Sequence, residues 1–367
     1  MNRTTASPRP CLVTGATGLL GSHIAERLVA RGEPVRALVR PTSDTTFLEA
    51  IGVELVPGDL TDPSSCAEAL RGARVVYHAA AKVGDWGSWS EFQSACLDAT
   101  EALARAALAA GVDRFVHISS TSAYGHPPRT GRPITEDHPL GVGVWWPWDY
   151  YTISKVESER ILWRLARQEG LPLTVIRPSW LYGERDRTTT ARLISRMRGA
   201  GIPVIGKGDN PLSAVYAGNV ADAAILAAED PGSVGEAYNV TDQGPMTQRE
   251  FLRYFAEAAG APRPRWYRRL PYFYPIVFAG ALVIEAYARL LRWPKAPIIT
   301  RYATWLMARR IWYSTEKART RLGWTPALDN AESIGRTVRW FLDREAPPGP
   351  LAPIPAASDH RSRDGSN

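Results

Sequence analysis

"CLVTGATGLLGSH", residues 11 to 23, decides how the rest of the chain is read. A short β-rich apolar run leads into Gly15, Gly18 and Gly21 in a GxxGxxG spacing, and a helical pattern follows at once. The three glycines have separate jobs: a tight turn, close approach of backbone to a pyrophosphate, and close packing of helix on strand. The helix N-terminus faces the anion. A lone glycine triplet is often only a turn. The strand before it and the helix after it make this one the first βα unit of a dinucleotide-binding sheet.

Working outward, the same rhythm continues to about Pro178. "VRALV", "VELV", "ARVVYHAA", "DRFVHISS" and "LTVIRP" read as strands, and Leu20 to Arg31, Glu91 to Ala110 and Tyr150 to Gln168 read as helices. Strands alternating with helices predict an α/β fold, a Rossmann-type doubly wound parallel sheet whose ligands gather at the carboxyl ends of the strands. After Pro178 the elements shorten. "SAVYAGNVADAAILAAE" and "GEAYNVTD" read as a strand, a helix and a strand returning to the sheet. The expected organisation is a dinucleotide-binding domain over 10–185, with 212–242 returning to it. A smaller, mostly helical C-terminal substrate lobe takes 186–211 and 243–345. Residues 1–9 and the Pro/Gly-rich tail 346–367 are expected to be disordered.

Cys11, Cys66 and Cys96 are scattered, odd in number and without CxxC spacing, so neither a disulfide framework nor a metal site is indicated. That usage fits a reducing cytoplasm, and "MNRTTASPRP" lacks the apolar stretch of a secretory signal. The net charge of +7 is regional: 13 Lys or Arg stand against Glu285 and Glu316 between Arg263 and Arg321. Because those charges are mixed with apolar runs, a membrane surface is a better partner than nucleic acid, and peripheral contact is expected through 263–310. "LPYFYPIVFAGALVIEAYARLLRW" is interrupted by Pro275 and Glu285 and is too short to span a bilayer. It reads either as a buried helix of the lobe or as a helix lying on a membrane.

The second strand ends in Val39 and Arg40, where a binder of unphosphorylated NAD carries an acid for the adenosine ribose. Arginine there can pair with a 2′-phosphate, so NADP(H) is the expected cofactor, with NAD(H) left open. The alternative for Arg40 is a solvated strand-end charge.

Farther on, "YYTISK" puts Tyr151 and Lys155 four apart, on one helix face. A lysine ammonium beside a phenol favours the phenolate, giving a group able to donate and accept a proton. "HISSTSAYG" ends a central strand in hydroxyls, of which Ser120 is the candidate for holding a substrate oxygen. Serines after strands are more often turn formers. The conjunction of glycine loop, strand-end serine and Tyr-x-x-x-Lys carries the reading.

That conjunction resembles the extended short-chain dehydrogenase/reductase superfamily, which includes the NAD-dependent epimerase/dehydratase family, over residues 11 to 345. "VVYHAAAKVGDWGSWSEF", "RPSWLYGERD", "VYAGNVADAAILA", "EAYNVTD" and "KARTRLGWTP" are similar to its 3β-hydroxysteroid dehydrogenase branch. The resemblance implies that Ser120 binds the carbonyl, Tyr151 is the acid/base, and Lys155 supports both it and the nicotinamide ribose. It also implies that Gly15, Gly18 and Gly21 hold the pyrophosphate, Asp59 meets the adenine, and Pro178 and Ser179 lie beside the nicotinamide. Asp59 reads equally as a helix cap.

Two departures stand out: Cys96 occupies a position where many relatives carry asparagine, and "GVGVWWPWD" lengthens the span from Ser120 to Tyr151. Trp145, Trp146 and Trp148 read as an apolar substrate wall or as a packed loop. His78 and His117 read as satisfied core histidines, and His126 and His138 receive no role.

The expected activity is NAD(P)-dependent interconversion of a ketone and a secondary alcohol on a hydrophobic steroid-like or β-keto lipid substrate. A nucleotide-sugar epimerase and a non-catalytic NADP-binding sensor are the competing readings. A dehydratase would place Asp-Glu where Thr121 and Ser122 stand. The sequence leaves a homodimer open.

Overall fold

A computed structural model describes residues 9–343, apart from 130, 145, 188, 200, 201, 203, 205, 206, 243–245, 262–273 and 298. Residues 1–8, the tail, Trp145 and the 263–273 part of the basic segment therefore lie outside the described residues. Among the described residues eleven strands occur in chain order: β1 (Cys11–Thr14), β2 (Val35–Val39), β3 (Glu54–Pro57), β4 (Val75–His78), β5 (Arg114–Ile118), β6 (Leu173–Pro178), β7 (Trp180–Tyr182), β8 (Pro211–Leu212), β9 (Ala214–Tyr216), β10 (Glu236–Val240) and β11 (Met246–Thr247).

Seven of them form one sheet in the order β10-β6-β5-β4-β1-β2-β3, and every pairing in it is parallel. Its middle strands are buried on both faces, as β1, β4, β5 and β6 are along their whole length. That is why they read as unbroken apolar runs rather than alternating ones. The chain runs outward from β1 to β2 and β3, then crosses back to begin β4 on the other side of β1. This reversal opens a crevice at the carboxyl ends of β1 and β4, where doubly wound sheets bind ligands.

Helices cover both faces. Leu19–Ala30 and Ala217–Glu229 pack together on one, burying Ile24, Leu28, Val220 and Ile225. Pro63–Leu70, Ala99–Ala110 and Tyr150–Glu169 cover the other, with Leu103, Leu162 and Leu165 inward. The expected helix from Glu91 to Ala110 is not continuous. Trp89–Phe92 passes through a π-helical stretch, Gln93–Asp98, before Ala99–Ala110 begins, and the wider turn carries Cys96.

The C-terminal lobe builds its own core from Phe251, Phe255, Ile334 and Val338, with Thr190–Arg198, Gln248–Ala258 and Asn330–Leu342 around them. Two small sheets stitch it to the rest: β7 with β9, and β8 with β11. Helix Tyr274–Leu290 buries only Ala281, Glu285 and Ala288. Ile276, Val283 and Leu290 are 71%, 68% and 78% exposed, which rules out the buried-helix reading. Small residues seven apart let one face lie close to the lobe, and the large apolar residues are left outward. No helix among the described residues is long and apolar enough to cross a membrane.

Candidate active site

The glycine loop closes the carboxyl end of β1. Gly15 has φ +67°, a conformation side chains resist, and a Cβ there would stand 2.7 Å from the Ala80 amide nitrogen just after β4. The Gly18 amide donates to the Gly15 carbonyl at 2.9 Å, immediately before helix Leu19–Ala30. A Cβ on Gly21 would lie 2.2 Å from that same carbonyl oxygen. The result is a side-chain-free cradle at a helix N-terminus, which fits the diphosphate of a dinucleotide.

Along the same sheet edge, Arg40 follows β2 and Asp59 follows β3. The Asp59 carboxylate accepts from the Thr61 amide (2.9 Å) and hydroxyl (2.7 Å). Those bonds, with a smaller contribution from Arg40, hold it below the usual carboxylate range. Capping of Pro63–Leu70 falls to Asp62 instead. Arg36 is spent on structure, paired with Glu54 at 2.9 Å and donating to the carbonyls of Ala69 and Arg71. Arg40 is exposed and has no ion pair among the described residues. Pro178 ends β6, and the Ser179 hydroxyl donates to Thr241 at 3.0 Å beside it.

Helix Tyr150–Glu169 begins beside the carboxyl end of β5, capped by Asp149, which accepts from the Thr152 amide at 3.4 Å. Tyr151 lies in its first turn and Lys155 one turn later. Ser120 caps the short turn Thr121–Tyr124 that follows β5, and its hydroxyl is near enough to the Tyr151 phenol to favour the phenolate. Burial pushes that phenol up to about 12, with the Ser120 hydroxyl opposing the shift. The Lys155 ammonium donates to the Ile118 carbonyl at 3.2 Å, and burial pulls its pKa down. The expected lowering of the phenol by the lysine is therefore corrected. Lys155 is turned to the strand end and burial dominates, so Tyr151 stands protonated at neutral pH.

Several partners were missed in the sequence. Glu159, one turn beyond Lys155, is buried and takes Arg177 bidentately, Nε at 3.0 Å and Nη2 at 2.7 Å, while also accepting from Ser119. Its i+4 spacing from Lys155 and the arginine next to last in "LTVIRP" were the available signals. His126 lies 2.9 Å from the Asp149 carboxylate and stacks on Trp146 at 3.7 Å. Trp146 is packed in the loop against Trp305 and Phe278, and Trp148 lies under Arg289 and Arg301. Tyr302, from helix Arg301–Ala308 of the lobe, places its ring edge-on to Tyr151 at 5.6 Å.

His78 is a satisfied core histidine, bonded to Thr14 at 2.8 Å and Thr100 at 2.9 Å. His117 is not: it is buried with neither ring nitrogen hydrogen-bonded among the described residues. Cys96 is buried, and its sulfur accepts from the Lys82 amide at 3.3 Å. His138 lies edge-on to Tyr124, outside the cluster.

The NAD dependent epimerase/dehydratase family is matched over residues 11–241. The chain is 32% identical over 333 residues to a 2-alkyl-3-oxoalkanoate reductase of Stenotrophomonas maltophilia, covering 89% of this chain and 97% of the relative. It is 33% identical to sterol demethylase protein B of Methylococcus capsulatus over 347 residues, 91% of this chain and 98% of that protein. The crystal structure of the Thermus thermophilus UDP-glucose 4-epimerase complex with NAD is similar at 26% identity and a TM-score of 0.69. That likeness covers 92% of this chain and 99% of the epimerase.

Proposed function

From the premise that the chain belongs to the NAD dependent epimerase/dehydratase family, we propose that it reduces the ketone of a hydrophobic β-keto or steroid-like substrate to a secondary alcohol. The observation that carries this reading is the pairing of buried Ser120 with half-buried Tyr151, set at the same sheet edge as the glycine cradle. The nicotinamide cofactor, when bound, supplies the hydride.

The chain's own residues do the rest. Ser120 donates a hydrogen bond to the substrate oxygen, and Tyr151 gives that oxygen its proton as negative charge develops. A phenol held protonated by burial is in the state reduction needs. Lys155 orients the ribose and fixes the helix start through Ile118. Gly15, Gly18 and Gly21 hold the diphosphate, Asp59 faces the adenine end, and Pro178 and Ser179 flank the nicotinamide. Arg40, exposed and without an ion pair among the described residues, pairs with a 2′-phosphate, so NADPH is the preferred cofactor.

The substrate class follows from what surrounds the pair. Tyr302, Trp305, Trp146 and Phe278 form a connected aromatic group beside Tyr151, suited to an alkyl chain or fused rings. The names of the bacterial relatives, an oxoalkanoate reductase and a sterol demethylase protein, point the same way. The test is NADPH consumption, followed by absorbance, on 2-alkyl-3-oxo acids, ketosteroids and UDP-sugars. Turnover of either ketone class supports the reading, and turnover of UDP-sugars alone overturns it.

The lobe also supports peripheral binding to an anionic bilayer. Among the described residues, nine of the twelve exposed large apolar side chains lie between Ile276 and Ile299. Arg292 and Lys295 are exposed at the end of the same helix, the composition of an interfacial helix on anionic lipid. The inner side of that helix brings Phe278 to the aromatic group, so an apolar substrate can pass from bilayer to site along one element.

A further inference from the structure

We infer that Tyr302, supplied by the C-terminal lobe, is a positioning residue for the carbonyl chemistry, holding Ser120 in place through Ser122. This inference rests on the proposed reductase reading.

The geometry is a chain of three hydroxyls, Tyr302, Ser122 and Ser120, crossing from the lobe to the sheet edge beside Tyr151. The Tyr302 hydroxyl is 2.8 Å from Ser122 Oγ. Ser120 Oγ donates to Ser122 Oγ at 3.2 Å and accepts from the Ser122 amide at 3.1 Å, and it is the hydroxyl that opposes the upward shift of the Tyr151 phenol. A serine hydroxyl has one proton and two lone pairs, and rotates freely unless its partners fix it. Ser120 must aim that proton at a substrate oxygen, and while it donates to Ser122 the proton points the wrong way.

When Tyr302 donates to Ser122, Ser122 is free to donate to Ser120. Ser120 then accepts from Ser122 and has its own proton left for the substrate. Reversing the direction of the chain is thus what Tyr302 makes available. Without its hydroxyl, Ser122 loses a donor and competes for Ser120's proton.

The ring is held as firmly as the hydroxyl. Tyr302 lies edge-on to Tyr151 at 5.6 Å and against Trp305 at 6.2 Å, and Thr300 caps its helix by accepting from the Ala303 amide at 3.1 Å. Arg301 anchors the same turn by pairing with the buried Glu285 at 2.8 Å. The sequence carries no local sign of this, because Tyr302 lies 180 residues beyond Ser122.

The test uses the full chain with NADPH and ethyl 2-methyl-3-oxobutanoate as the probe ketone. Tyr302→Phe keeps the ring and removes the hydroxyl, and Ser122→Ala cuts the same chain without touching the aromatic packing. Each is expected to lower kcat roughly five- to tenfold with KM within about twofold, and the double variant no further than either single one. Thermal midpoints should match the parent. An unchanged kcat in both single variants, a rise in KM alone, or additive losses would overturn the inference. Tyr151→Phe is measured beside them. Near-normal turnover in that variant overturns Tyr151 as the proton donor and the inference with it, whereas a parent that turns over UDP-sugars and no ketone overturns the reductase reading. An inactive Tyr151→Phe beside a normal Tyr302→Phe overturns the inference alone.

Discussion

Replacing Gly21 by alanine should loosen the cofactor more than it loosens the fold. The added Cβ would stand 2.2 Å from the Gly15 carbonyl oxygen, 2.6 Å from its carbon and 2.9 Å from the Ala16 Cα. All three are backbone, so no side chain can swing aside. Ordinary contact begins near 3.4 Å, and the loop and helix must separate by roughly 1 Å to reach it. Overpacking of this kind typically costs about 1–3 kcal/mol, and the cheapest relief is to move the loop. Moving it takes the amides at the start of helix Leu19–Ala30 off the diphosphate, where each hydrogen bond to charge is worth about 1.5–3 kcal/mol. NADPH affinity should therefore fall roughly ten- to a hundredfold by calorimetric titration, with circular dichroism unchanged.

Gly280 is the control. It sits within helix Tyr274–Leu290, and a Cβ there meets no atom within 4 Å. Gly280→Ala should stabilise the protein by about 0.5–1 kcal/mol and leave NADPH affinity alone. If Gly21→Ala binds NADPH like the parent, the cradle does not hold the diphosphate and the cofactor assignment is wrong.

Arg40→Ala should weaken NADPH by about 1.5–3 kcal/mol while sparing NADH, and equal losses for both in paired titrations would refute the 2′-phosphate contact. Burial pushes Asp242 up to about 6 in the folded protein, so its stabilising contribution is full below the ordinary carboxyl value near 4 and is lost as pH rises through 6. Denaturant titrations of Asp242→Asn from pH 4 to 7 should therefore show a flatter stability profile than the parent, and identical profiles would remove that carboxyl from the account. Vesicles containing anionic phosphatidylglycerol should sediment the full chain at low salt, less so with Val283→Glu. Absence of binding would refute the membrane contact, and a dimer that Val283→Glu dissolves would assign the exposed helix face to a second copy instead.

The sheet was legible because its strands are buried on both faces. "CLVT" and "LTVIRP" can be read without any partner, and the glycine spacing fixes the first turn. Tyr151 and Lys155 were legible through helical spacing, and Ser120 through its place after a strand. Long-range partners were not. Nothing near Tyr302 shows that it meets Ser122, and nothing near His126 shows that it faces Asp149. The π-helical stretch at Cys96 leaves the apolar pattern of 91–110 nearly intact, so the region reads as one helix. The Tyr274–Leu290 helix is apolar on nearly every side, and such a pattern does not tell a core from an interface. Lys155 is the instructive miss: spacing put it beside the phenol, but burial and the Ile118 carbonyl decide what each group does.

The most direct test of the central claim is turnover of Tyr151→Phe on a ketone the parent reduces, measured beside NADPH binding by fluorescence. The substitution removes the proton and little volume, so turnover should fall roughly a hundredfold or more with NADPH affinity nearly unchanged. Near-normal turnover would show that the proton reaches the substrate oxygen by another route and that the Ser120–Tyr151 pair is structural.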